Sequence, residues 1–264
     1  MYNDRHQYFT RSSITGESWK AAGVLPFTFH LGKCWVLLGG ESVRTGPKGK
    51  FRQLMWRDFG GLREAMDEDA AATASRECSE ETLGMLFGSS SADHSAINQS
   101  SISLAAQLRE GSSSLCVVHQ LKKGSYHMFI SQSSFVEPLM FSLAMEQNAL
   151  RAQPIAGAEK ISVTWVLMVD LLKVVSKERR SYFYGSKNRL FSGRAPFGYV
   201  PQRLTLPPCF VNSLRSALND GLLAFIKACR EASVPETACL LDAIPDQENE
   251  NAKATYPTDI AHQS

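Results

Sequence analysis

The sequence predicts one mixed domain of strands and helices, α/β or α+β in class. Three observations carry that reading. Short apolar runs of strand character recur with hairpin-like links, at 23–29 and 34–38, at 115–120 and 126–131, and at 161–169. Helical patterns stand between and after them, at 67–83, 135–150 and 211–233. The chain has 264 residues with 44% apolar and 20% charged side chains, an ordinary globular balance and enough length for a sizeable core.

Residues 1–20 read as a polar lead-in, without the apolar run of a secretory signal. The first two runs form a hairpin that turns at Leu31–Lys33, around Gly32. Residues 42–57 then read as a basic loop, broken by Gly46, Pro47 and Gly49. Asp67 and Asp69 suit the positive end of a helix over 67–83, Ala70, Ala71, Ala72 and Ala74 favour it, and Gly84 ends it. Residues 89–103 are Ser-rich and read as an exposed insertion. The pair 115–120 and 126–131 turns around 122–124, and Glu137–Pro138 opens the helix over 135–150. A strand at 161–169 runs into a short helix at 170–175. Residues 211–233 read as one amphipathic helix, because Leu214, Leu218, Leu222, Phe225 and Cys229 recur at three- and four-residue spacings. The domain therefore spans 21–235, and the polar stretch 245–264 reads as a disordered tail.

Charge and cysteine usage exclude several classes. There are 28 basic and 26 acidic residues, so the net charge of +2 makes no global case for a nucleic-acid or membrane-surface protein. No run approaches the about 18 apolar residues of a membrane-spanning helix. The 6 cysteines are widely scattered, which fits reduced thiols in an intracellular, cytoplasmic protein. Cys116 and His119 make a CxxH half-site with no second half and read as strand residues. The nucleotide and nucleophile signatures GxxxxGKS/T, GxGxxG and GxSxG are missing.

Most of the chemistry lies between Gly60 and Gly84. At about 100° per residue, Glu80 falls about 60° to one side of Glu77 and Glu81 about 40° to the other. Three carboxylates thus crowd one face, while Ala70, Ala74 and Cys78 line a small-residue face suited to burial. Crowded carboxylates destabilise a helix. A solvated acidic face is one explanation. The other is a hard divalent cation, which prefers carboxylate oxygens and bridges them to substrate phosphates.

Gly61, the acidic residues at 67–69, Arg76-Glu77-Cys78-Ser79-Glu80-Glu81 and Gly84 resemble the Nudix box, GX5EX7REUXEEXGU with U apolar. The runs Ala22–Phe27 and Trp35–Glu41, with Trp56, Asp58, Phe59 and Gly60, are similar to the family's approach to that box. The resemblance covers 21–169. It departs at both ends: 14 residues separate Gly61 from Arg76 where the pattern has about 13, and both Thr82 and Leu83 precede Gly84.

The resemblance implies a mixed β-sheet sandwiched between α-helices, and a Mg²⁺-dependent hydrolase (Mn²⁺ as substitute) that cleaves the pyrophosphate linkage of a nucleoside diphosphate joined to another moiety. It places Glu77, Glu80 and Glu81 as metal ligands, Arg76 as the residue that orients them, and Glu68 as the partner of Arg76. A carbonyl of Gly60 or Gly61 is a further ligand candidate. For a base outside the box the candidate is Glu159, with Glu146 second. Arg44, Lys48, Lys50 and Arg52 are candidates for substrate phosphates. The basic and aromatic residues of 177–203 suit base stacking and phosphate contact, or simply pin a loop. The implied partner is a small nucleoside diphosphate derivative, with RNA less favoured and no membrane. The alternative is an inactive Nudix-fold module that binds nucleotide or RNA.

Overall fold

Alternating apolar residues bury both faces of one sheet. The structure, a computed structural model, describes residues 19–45, 50–87, 93–150, 160–176, 189–192 and 203–233. Seven strands form the main sheet: β1 (Trp19–His30), β2 (Lys33–Thr45), β3 (Phe51–Arg57), β4 (Phe59–Leu62), β5 (Ser114–Gln120), β6 (Ser125–Gln132) and β7 (Lys160–Leu167). β1 runs parallel to β6 and antiparallel to β2 and β4. β2 pairs antiparallel with β3 and, on its other edge, with β7, while β5 pairs with β6. A separate pair joins β8 (Arg189–Ser192) and β9 (Arg203–Leu206).

The helices are α1 (Ala70–Glu81), α2 (His94–Arg109), α3 (Pro138–Ala149), α4 (Met168–Ser176), α5 (Pro208–Asn219) and α6 (Leu222–Ser233). Because successive strand residues point to opposite faces, Leu25, Phe27, Val36, Leu38, Met128 and Ile130 share one core with residues of α4, α5 and α6. Ala22, Val24, Trp35, Leu37, Phe129 and Trp165 share the other with residues of α1, α2 and α3. The result is a mixed sheet between two helical layers. No helix among the described residues is long and apolar enough to cross a membrane.

Three sequence expectations are corrected. Residues 42–57 are not a loop: β2 continues to Thr45 and β3 begins at Phe51, with Arg44 opposite Arg52. Polar side chains on a projecting hairpin gave the stretch its loop character. The Ser-rich stretch at 89–103 is not a mere insertion, because from His94 it is α2. Asp93 caps that helix by accepting from the Ala96 amide at 2.7 Å, and Ile97, Ser100 and Leu104 are buried. Small serines let α2 approach α1, with Ser79 and Ser100 hydroxyls 3.3 Å apart. The helix at 211–233 is two helices. The chain breaks at Asp220–Gly221, where Gly221 adopts φ 98°, a left-handed conformation that glycine tolerates.

Candidate functional site

The small-residue face positions α1. Ala70, Ala71, Ala74 and Cys78 are buried against the sheet, which turns Arg76, Glu77 and Glu80 toward the chain leaving β4. Asp69 caps the helix by accepting from the Ala72 amide at 2.7 Å. At the other end Leu83 and Gly84 both take positive φ, 53° and 71°, and the Gly84 amide donates to the Ser79 carbonyl at 2.8 Å. These two left-handed residues absorb the extra residue between Glu81 and Gly84.

Arg76 organises the exposed side. Its Nε and Nη2 donate to the two oxygens of Asp67 at 3.2 and 3.1 Å. Its Nη1 donates to Glu77 Oε1 at 3.0 Å and to Glu80 Oε2 at 3.3 Å, and lies 3.6 Å from Glu64. Nη2 also donates to the Leu62 carbonyl at 3.0 Å, which ties the helix to the end of β4. The partner of Arg76 is thus Asp67, not Glu68. Glu68 is 86% exposed and lies 3.9 Å from Arg109, while the Glu64 amide and the Thr73 hydroxyl donate to Asp67 and hold it beside Arg76. Burial works to raise the Asp67 pKa, but the bonds from Arg76, the Glu64 amide and Thr73 together hold it below the ordinary value. Burial raises Glu80 against the pull of Arg76.

Gly61 lies against Glu77. A Cβ there would come within 2.5 Å of the Glu77 carboxyl carbon and both its oxygens. Gly60 is enclosed instead by backbone, since a Cβ would meet the Ala22 carbonyl oxygen at 2.6 Å.

Glu81 faces the other way. Its side chain is 2% exposed, and Oε1 lies 3.0 Å from Nζ of Lys160, which is fully buried at 0%. The same ammonium donates to Glu41 Oε2 at 3.2 Å, and Glu41 also pairs with Arg57 at 2.8 Å. Tyr126 donates to buried Asp58 beside this group. The Lys160 stem crosses Gly39, where a Cβ would meet its Cδ at 2.8 Å and its Cε at 2.9 Å. Burial pushes the Glu81 carboxyl up to about 8, opposed by Lys160. Glu81 Oε2 is buried with no hydrogen-bond partner among the described residues.

Glu77, Glu80 and Glu81 are therefore brought to one end of α1, but on different partners. Among the described residues no three ligating side chains are gathered closely enough to hold an ion. In kind the donors fit a hard divalent cation: all are carboxylate oxygens, one buried oxygen lacks a partner, and four carboxylates share one arginine.

Glu159 and Lys48 lie outside the described residues, as does most of 177–203. Glu146 stands exposed on α3. Arg44, Lys50 and Arg52 are exposed at the far end of the β2–β3 hairpin. Arg57 lies five residue steps along β3 from Arg52, about 16 Å at the usual rise. Arg57 is the basic residue of that stretch that reaches β4, 3.5 Å from the Gly60 carbonyl. Lys160 and Glu41 were not singled out by sequence. The available signal was a lone lysine opening an apolar strand.

No family model and no curated protein matches the chain. Several solved structures are similar to it. An Ap4A hydrolase binary complex from C. elegans is 16% identical over 59% of this chain and 85% of its own, with a TM-score of 0.31. The NUDIX domain of Shewanella oneidensis NrtR, complexed with ADP ribose, is 14% identical over 63% and 85%, with a TM-score of 0.30. A MutT/nudix family protein from Enterococcus faecalis is 12% identical over 84% and 74%, with a TM-score of 0.37. The chain itself has a mixed α/β fold, with a mixed sheet between two helical layers and α1, which carries Arg76 to Glu81, packed on one of its faces.

Proposed function

We propose that the chain is a divalent-cation-dependent hydrolase of the diphosphate linkage in a nucleoside diphosphate derivative. The observation that supports this is the surplus of carboxylate around Arg76: Glu64, Asp67, Glu77 and Glu80 all lie within 4.0 Å of one guanidinium, beside the glycine-containing strand β4. A structural ion pair needs one carboxylate, and four leave uncompensated charge that repels.

Glu77, Glu80 and Glu81 would hold Mg²⁺, with Mn²⁺ as substitute. The bound ion supplies charge neutralisation of the pyrophosphate and polarisation of a phosphorus–oxygen bond. Arg76 orients Glu77 and Glu80, and Asp67 fixes Arg76. Gly61 leaves room for the Glu77 carboxylate. Glu80 and Glu81 are the carboxylates of the box assigned to take the proton from the attacking water. Water adds to one phosphorus and the other phosphate departs. Glu159 stays a candidate second base. Arg44, Lys48, Lys50 and Arg52 are assigned to substrate phosphates, acting on KM and not on kcat.

The test is a panel of nucleotide sugars, dinucleoside polyphosphates, other nucleoside diphosphate derivatives and capped RNA with Mg²⁺, products being followed by phosphorus detection. Glu80→Gln should lower turnover by about a hundredfold or more, while the fold survives. Full activity in that variant would end its assignment. One observation favours the alternative of a binding module: Glu77, Glu80 and Glu81 already have cationic partners in the chain. Nucleotide binding without turnover of any compound would select it.

A further inference from the structure

Lys160 is the most deeply buried cation described, and the sequence motif does not require it. Its stem runs over Gly39 and its ammonium ends between two carboxylates, Glu41 Oε2 at 3.2 Å and Glu81 Oε1 at 3.0 Å. Glu41 has a second cation, Arg57 at 2.8 Å, so Lys160 is not needed to neutralise it. Among the described residues Lys160 is the ion-pair partner of Glu81. Its remaining oxygen, Oε2, is buried and has no hydrogen-bond partner among the described residues. A carboxylate held by one oxygen and left open at the other has a fixed direction. A buried polar oxygen left without a partner is costly, and buried polar atoms normally have one.

We propose that Lys160 is a positioning residue for the divalent-ion site: it holds Glu81 by Oε1 so that Oε2 is the oxygen presented to the ion. The inference rests on the metal-dependent reading above. It has a sign that simple electrostatics lacks. Removing a positive charge next to a cation site strengthens cation binding if charge alone matters. Removing a residue that orients a ligand weakens it, typically by ten- to a hundredfold.

The experiment is a Mn²⁺ titration of the full chain by electron paramagnetic resonance, with a thermal melt of each variant. Wild-type protein should bind Mn²⁺, and Lys160→Met should bind it about tenfold more weakly. Glu41→Gln keeps the Lys160–Glu81 contact and should stay within about twofold of wild type. In the Glu81→Gln background, where no buried charge is left unpaired, adding Lys160→Met should change Mn²⁺ affinity by less than about twofold. That double variant keeps the question answerable if Lys160→Met alone does not fold, because a further tenfold loss within it would overturn the proposal. Unchanged or tighter Mn²⁺ binding in Lys160→Met would overturn it as well and leave the metal-dependent reading standing. Absence of Mn²⁺ binding in the wild type would overturn both.

Discussion

Asp67 shows how one carboxylate sets the geometry of the others. It receives two bonds from Arg76, one from the Glu64 amide at 2.8 Å and one from Thr73 at 3.0 Å. Asp67→Asn keeps the shape and removes the charge. It should cost about 2 kcal/mol at pH 7, the usual value of hydrogen bonds to a charged group. The sign with pH follows from the depressed pKa. Asp67 contributes stability that is complete above its unfolded value near 3.8 and is lost as pH falls through the lower folded value. Urea melts at pH 7 and pH 3 should therefore show the gap between variant and wild type closing in acid. An equal gap at both would remove the ionic account of this residue. The sequence made Arg76 legible but named Glu68 as its partner, because the spacing was counted back from Arg76 to a residue that precedes the helix, where the side chain's direction is not set by helical register. Lys160 was illegible for a different reason. A lysine at the start of a strand reads as solvated, and its burial depends on Glu41 and Glu81, which are distant in sequence.

Among the elements, β4 carries two adjacent glycines with opposite duties. Gly60 faces the backbone of β1, so Gly60→Ala forces strands apart and should cost about 1–3 kcal/mol or more. At Gly61→Ala the nearest atoms are those of the Glu77 carboxylate, the end of a side chain and not backbone. The change should leave the melting temperature nearly unchanged while weakening Mn²⁺ binding. Equal losses of stability in both variants, with Mn²⁺ binding intact, would deny Gly61 its role. The motif helix was readable from its alanines, its capping aspartate and its carboxylates. α2 was not, since serines dominate its composition. Its helical signal lay in Ile97, Leu104 and Leu108, which are buried against α1 and the sheet layer. Leu104→Ala should accordingly cost about 2–5 kcal/mol in a denaturant titration. A cost below 0.5 kcal/mol, the ordinary surface value, would return this segment to the exposed reading.

Across the whole molecule, stability depends on covering both faces of the sheet. A chain ending at residue 206 would lack α5 and α6 and uncover Leu25, Phe27, Val36 and Leu38, which share their core. It should lose its cooperative transition and bind a hydrophobic dye. A sharp melt in the truncated chain would show that the opposite layer alone suffices. The existence of strands and covering helices was legible from local apolar patterns. Sheet order was not: β1 and β6 are parallel neighbours joined through everything between them, and no local pattern encodes such a pairing.

Gly39 and Lys160 occupy a single slot between them, since the methylenes of one lie where a side chain of the other would begin. The two positions are therefore not free to vary separately. Gly39→Ala in the wild-type background evicts the lysine stem and should be strongly unfavourable, whereas in a Lys160→Ala background the slot is vacant and the same change should be nearly neutral. Substitution history at this place is directional. A descendant can acquire bulk at position 39 only after giving up the lysine, and once it has done so the lysine cannot return without first restoring the glycine.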